Sequence, residues 1–165
     1  MDFSGNQDWV IDPDVKWEGN YSASSGEITH DETSGLIINY NVLIDDTIFF
    51  HRKISSEIFN DRLKFFIDTL LVGSWAGNSD WVFQSYPVLA GPHTFSWQYE
   101  KNSTASQGED KGWVDYIIFP PEYQTAASAG SDTDICAGSS FQLMSAAIGY
   151  DSLLWTTSGT GIFDD

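Results

Sequence analysis

Apolar and polar residues alternate with a period of two along much of this chain, which is the signature of strands with one wet face. From Leu36 to Ile44, the residues Leu36, Ile38, Tyr40, Val42 and Ile44 share a face, and Asn39 and Asn41 point the other way. Ile48, Phe50 and Ile54 oppose Phe49, His51 and Lys53. Leu63, Phe65 and Ile67 oppose Lys64 and Asp68, and Phe95, Trp97 and Tyr99 oppose Thr94, Ser96, Gln98 and Glu100. No stretch carries a sustained helical stripe. The best helical candidate, Ser55–Asp61, is too short to stand alone.

Turn signals separate these runs: Gly26, Asp45-Asp46, Asn60-Asp61, Gly77-Asn78 and Ala90-Gly91-Pro92. After a polar loop at Gln107–Gly112, the run Trp113–Phe119 is apolar on both faces except at Asp115, which predicts a central strand. About eight short strands with regular turns predict an all-β fold, a two-sheet antiparallel sandwich. Pro120-Pro121 stops the last strand, and the Ala-, Ser-, Thr- and Gly-rich stretch that follows reads as a linker. The predicted boundaries are a first domain over 1–121, a linker over 122–133, and the opening of a truncated second β domain over 134–165.

Composition narrows the function. The 165 residues include 24 Asp and Glu against 7 Lys and Arg, a formal net charge of −17. Neutralising phosphates needs cations, so nucleic acid is excluded as a partner, and anionic lipid surfaces are equally disfavoured. No apolar stretch approaches the ~20 residues that cross a bilayer, so membrane insertion is not expected. Met1–Gly5 lacks the basic and apolar regions of a signal peptide, and the natural start is read as cut away. Cys136 is the single cysteine, either a small buried hydrophobe or a half-cystine whose partner lies beyond Asp165.

Four groups of residues invite a chemical reading. Asp115, among Trp113, Ile117 and Phe119, needs compensation if buried, either as an oxygen ligand of a structural Ca²⁺ or as an acceptor of N–H groups. Glu57 and Asp61, near Arg52, Lys53, Arg62 and Lys64, read as surface ion pairs or as a polar knot at a sheet crossover. Trp75 and Trp81, like Trp9, sit beside loops and are either stacking faces for sugar rings or core residues. Trp97 and Trp113 fit core positions. The histidines His30, His51 and His93 show no metal-ligand spacing, and His93, in its Gly-Pro turn, reads as solvated. No nucleophile elbow, phosphate cradle or paired-carboxylate motif occurs, so an enzyme is not expected.

Trp17–Ala23, Lys53–Glu57, Leu63–Asp68, Gly73–Gly77, Tyr86–Trp97 and Gly112–Pro120 together resemble a family of lectin-like jelly-roll modules, similar to MAM domains and gingipain-type adhesin domains, of secreted multidomain bacterial proteins. The resemblance implies a jelly roll whose opening Phe-Glu strand is missing here. It also implies calcium between Asp115 and an early carboxylate, for which Glu18 is the candidate. Ala129–Asp132, Ile135–Gly138 and Leu154–Gly161 resemble the start of an Ig-like or PKD-like repeat of the same proteins. The expected function is a non-catalytic binding or adhesion module of a large exported cell-surface protein, recognising glycan or a cell-surface protein beside neighbouring domains of a longer chain. The alternatives are a purely structural spacer and a fragment of a glycoside hydrolase.

Overall fold

The computed structural model describes residues 1–121, with 126–128, 142 and 146–148. The chain divides into two compact units, Met1–Glu122 and Tyr123–Asp165. The first is built from ten strands: β1 (Asp2–Gly5), β2 (Val10–Asp12), β3 (Ser22–Ser24), β4 (Thr33–Val42), β5 (Asp46–Ser55), β6 (Arg62–Ile67), β7 (Leu70–Ala76), β8 (Asn78–Val88), β9 (Gly91–Glu100) and β10 (Lys111–Ile118). No helix occurs among the described residues, and so none there could cross a membrane. In the second unit, β11 (Ala126–Ser128) pairs antiparallel with β12 (Ala146–Ile148). Cys136 and nearly all of the Ig-like segment lie outside the described residues.

The strands form two antiparallel five-stranded sheets, β1-β4-β9-β6-β7 and β2-β3-β10-β5-β8. From β3 onward the order is that of a jelly roll: β3, β5, β8 and β10 share one sheet, β4, β6, β7 and β9 the other. The opening residues add β1 to the edge beside β4 and β2 beside β3, two strands that hydrophobic alternation did not reveal. Both are three or four residues long and mostly exposed, too short for alternation to show.

The alternating residues meet between the sheets. Leu36, Val42, Leu63, Phe65, Phe95, Trp97 and Tyr99 from one sheet face Ile48, Phe50, Ile54, Val88 and Val114 from the other, all buried. Phe50 is central. Its ring stands edge-on to Phe65 at 4.8 Å and to Trp97 at 5.3 Å, so one residue ties together both sheets. Ile44 departs from its predicted face because β4 ends at Val42, leaving Ile44 exposed in the following loop.

Trp75 also faces inward. It packs against the core with Phe50 6.4 Å away and the buried Arg52 guanidinium 4.9 Å above its ring. Its neighbour Gly73 makes this possible. A Cβ there would come within 2.4 Å of the Trp75 indole and 2.6 Å of the Tyr86 hydroxyl. Trp75 therefore packs, partly buried, toward the interior and not as a sugar-stacking face; the Gly77-Asn78 turn that the sequence placed beside it is the tight link from the edge strand β7 to β8, with Gly77 at a φ of 76°.

Candidate functional site

The outer face of the β2-β3-β10-β5-β8 sheet carries a run of aromatic side chains where a solvated face usually carries polar ones. Phe49, His51 and Lys53 of β5 point outward because Ile48, Phe50, Arg52 and Ile54 point in. In register beside them stand Phe83 of β8, opposite His51, and Trp113 and Asp115 of β10, opposite Lys53 and His51. The β10 register shifts between Asp115 and Ile118, and Tyr116 there has a φ of 50°. Such a bulge re-aims side chains. It leaves Tyr116 and Ile118 exposed, with the His51 and Tyr116 rings 6.2 Å apart.

A second bulge, on β8, sets Asp80 and Trp81 together opposite Lys53. Val82 pairs with inward Arg52 and Ser79 with inward Ile54, so Asp80 and Trp81 both share the outer face with Lys53. The Lys53 ammonium lies 3.8 Å from Asp80 and 6.0 Å from the Trp113 ring centre. Trp113 is fully buried, yet it belongs to this outer face and not to the inter-sheet core.

The segment Pro13–Asn20 is laid across this face and held by two carboxylates. Asp12 accepts hydrogen bonds from the N–H groups of Asp14 (2.9 Å) and Val15 (3.0 Å) and from the Trp113 indole (2.8 Å). Asp115 accepts from the N–H groups of Trp17 (2.7 Å), Glu18 (3.1 Å) and Tyr116 (2.6 Å). Trp17 is thereby set flat on His51, ring centres 4.4 Å apart and 11° from parallel. Phe83 lies 5.4 Å from His51 and stacks with Phe49 at 5.7 Å. Trp17 is 50% exposed and Phe83 54%. One face of the Trp17 indole is spent on His51, so its open face looks to solvent. The result is a platform of Trp17, His51, Phe83, Phe49 and Tyr116 with Asp115, Glu18 and Lys53 at its margin. His51 Nδ1 is buried there without a hydrogen-bond partner among the described residues.

Burial works to raise the Asp12 carboxyl, but the Val15, Trp113 and Asp14 donors and the nearby Lys111 charge outweigh it and hold it below the ordinary 3.8. A lowered carboxyl stabilises the folded state above the unfolded-state value and loses that contribution as pH falls through the folded one. Acidifying from pH 5 to below 3 is therefore expected to free the segment before the core unfolds. Tryptophan fluorescence would change ahead of far-UV circular dichroism. In Asp12→Asn the early step would be absent, and coincident transitions in the parent protein would contradict this role.

Calcium at Asp115 meets an unfavourable set of neighbours. Glu18 brings its backbone N–H to Asp115, and so do Trp17 and Tyr116. Those positive ends suit a carboxylate, whereas a cation would need oxygens. No group of three or more His, Cys, Asp or Glu side chains able to hold a metal occurs among the described residues. The residues around Asp115 do not fit the ion that the sequence resemblance implied.

The other sequence candidates lie apart from the platform. Trp9 is buried and its indole donates to the Ser34 carbonyl (3.1 Å). His93 is not solvated, since its ring sits between the Asp68 carboxylate and the Leu89 carbonyl, each 2.9 Å away. Asp61 is a wholly buried partner of Lys101, not a surface ion pair. Trp17, His51, Phe83 and Tyr116 were missed as a site. The available signal was the second face of the Ile48–Ile54 alternation, which carries Phe49 and His51 where a solvated strand face usually carries polar residues.

No family model matches this sequence, and no curated protein is similar to it. Among solved structures, the chain is similar to the secreted serine protease VesC from Vibrio cholerae, with 18% identity and a TM-score of 0.52 over 64% of this chain and 22% of that one. It is also similar to a family 35 carbohydrate-binding module from Clostridium thermocellum (11% identity, TM-score 0.42, 70% and 88% of the two chains). A third is a xylan-binding domain from Paenibacillus barcinonensis (9%, 0.42, 70% and 82%). The chain spans about a fifth of the length of the protease it matches. At these identities the likeness extends to the sandwich fold alone.

Proposed function

We propose that this domain is a non-catalytic carbohydrate-binding module that uses the outer face of the β2-β3-β10-β5-β8 sheet. The observation that carries the reading is Trp17, held flat on His51 by hydrogen bonds to Asp115 and open on its other face. Sugar rings present C–H groups that pack on aromatic faces, while their hydroxyls need donors and acceptors at the rim. Asp115 still has acceptor capacity, since three donors occupy a carboxylate with about four acceptor sites. Lys53 supplies N–H donors on the same face. The net charge of −17 favours uncharged ligands over polyanions. An exported, cell-surface setting is part of the proposal and rests on the sequence resemblance to modules of secreted proteins.

A glycan array probed with the parent domain, Trp17→Ala and Phe83→Ala tests this. The parent is expected to bind at least one neutral glycan. Each variant is expected to bind about 30-fold more weakly, the cost of losing a central aromatic contact of about 2 kcal/mol, with an unchanged melting temperature. Absence of any glycan hit, or variants that bind like the parent, would overturn the proposal.

A further inference from the structure

One cavity lies on the same sheet at the end of β8. It has a volume of about 260 Å³ and is lined by Lys53, Ser55, Asn78, Ser79, Asp80 and Glu109, with Ile54 beneath. We infer that the ligand is a linear, uncharged oligosaccharide laid along β8, with one ring on the Trp17–Phe83 platform and a later ring in this cavity. The inference rests on the carbohydrate-binding reading of the platform and deepens it.

Three observations join the two places. The first is spacing. Ser79 precedes Phe83 by four residues on one strand, which at ~3.3 Å per residue is roughly 13 Å, reduced somewhat by the bulge. That exceeds one sugar ring, so a monosaccharide cannot touch both. The second is the surface between them. The bulge turns Asp80 and Trp81 outward together, so an aromatic side chain and a carboxylate fill the gap, with Lys53 shared by cavity and sheet face. The third is the cavity itself. At about 260 Å³ it is an open hollow smaller than the ~300–1,000 Å³ of sites that enclose a whole drug-sized ligand, a size suited to one ring and not to several.

The chemistry of the lining suits hydroxyl groups, which both donate and accept. The Ser55 hydroxyl oxygen accepts the Glu109 N–H at 2.9 Å. The Ser79 hydroxyl oxygen accepts from the buried Arg52 guanidinium. Asn78 adds an amide, Asp80 and Glu109 add carboxylates, and Lys53 adds an ammonium already faced by Asp80. Two carboxylates against one half-buried ammonium leave no surplus positive charge for a uronic acid or sulfate.

Isothermal titration with xylose, xylobiose and xylotetraose, and with the matching gluco-, manno- and laminari-series, provides the test. For the series that binds, affinity is expected to rise at least tenfold from one unit to four. The double variant Asn78→Ala/Asp80→Ala is expected to lose that gain and to bind the monosaccharide like the parent, with an unchanged melting temperature. Phe83→Ala is expected to weaken every member. Binding that does not depend on length, or a double variant that keeps the parent's tetrasaccharide affinity, would overturn the extended track while leaving the platform standing. No binding in any series would overturn the platform reading itself, and the track with it.

Discussion

Replacing Lys101 with methionine is expected to destabilise the domain by about 3–5 kcal/mol, the usual cost of stranding a buried charge. Lys101 lies just after β9 with its side chain 1% exposed, and Asp61, just before β6, is 0% exposed. The ammonium is 3.4 Å from the Asp61 carboxylate, bonds directly to Asp110, and donates to the Ser106 hydroxyl at 3.0 Å. Asp61 also accepts the Asn102 N–H at 2.9 Å, and the Tyr99 hydroxyl donates to Asp110. Burial and these two carboxylates push the Tyr99 hydroxyl far above its ordinary 10.0. The knot joins the loops that enter β6 and leave β9, so it fixes one end of the sandwich. Without Lys101, two carboxylates remain with no cation between them. The melting temperature of Lys101→Met is expected to fall by roughly 10–20 °C. Adding Asp61→Leu should restore only part of this, because the Asn102 N–H then loses its acceptor. A single variant within ~1 kcal/mol of the parent in urea titration would show that the pair is a surface-like contact.

Trp97→Ala should cost a similar ~3–5 kcal/mol for a different reason, the cavity left by a large core ring. Trp97 is fully buried on β9, between Leu36 of β4 and Phe65 of β6. Its ring stacks with Phe65 at 4.8 Å and meets Phe50 of the opposite sheet edge-on at 5.3 Å. Removing it opens a void at the contact where the two sheets meet. Trp97→Phe is expected to cost far less, because the indole N–H is buried without a partner among the described residues and its removal relieves a desolvated donor. If Trp97→Phe destabilised as much as Trp97→Ala in urea titration, the packing account would be contradicted, since the phenylalanine ring keeps most of the contact with Phe65 and Phe50.

The inter-sheet core was legible in the sequence because its rule is local. In an alternating strand every second residue goes inward, and Leu63, Phe65, Phe95, Trp97 and Tyr99 all do so. The rule failed where the backbone breaks period. Trp113–Phe119 reads as buried on both faces, but only Trp113 and Val114 are fully so; the bulge at Tyr116 then turns the strand toward solvent. Asp115 consequently sits on the outer face as an anchor for Trp17 and Glu18. These pairs are separated by 98 and 97 residues, so no short motif reveals them. The Asp61–Lys101 pair escaped notice for the same reason, since each residue has nearer charges in sequence than the one it meets. Trp17 is the most instructive case. It lies in a turn, outside any periodic run, and its backbone N–H is fixed by a carboxylate 98 residues further along the chain.

The most direct test of the platform is nuclear magnetic resonance of the parent domain titrated with the strongest neutral glycan from the array. Binding at the platform predicts selective shifts of the Trp17 indole, the His51 imidazole and the Phe83 ring, with the Trp75 and Trp97 indoles unmoved inside the sandwich. Shifts confined to residues away from the outer face of β5, β8 and β10, with Trp17 and His51 unchanged at saturation, would contradict it.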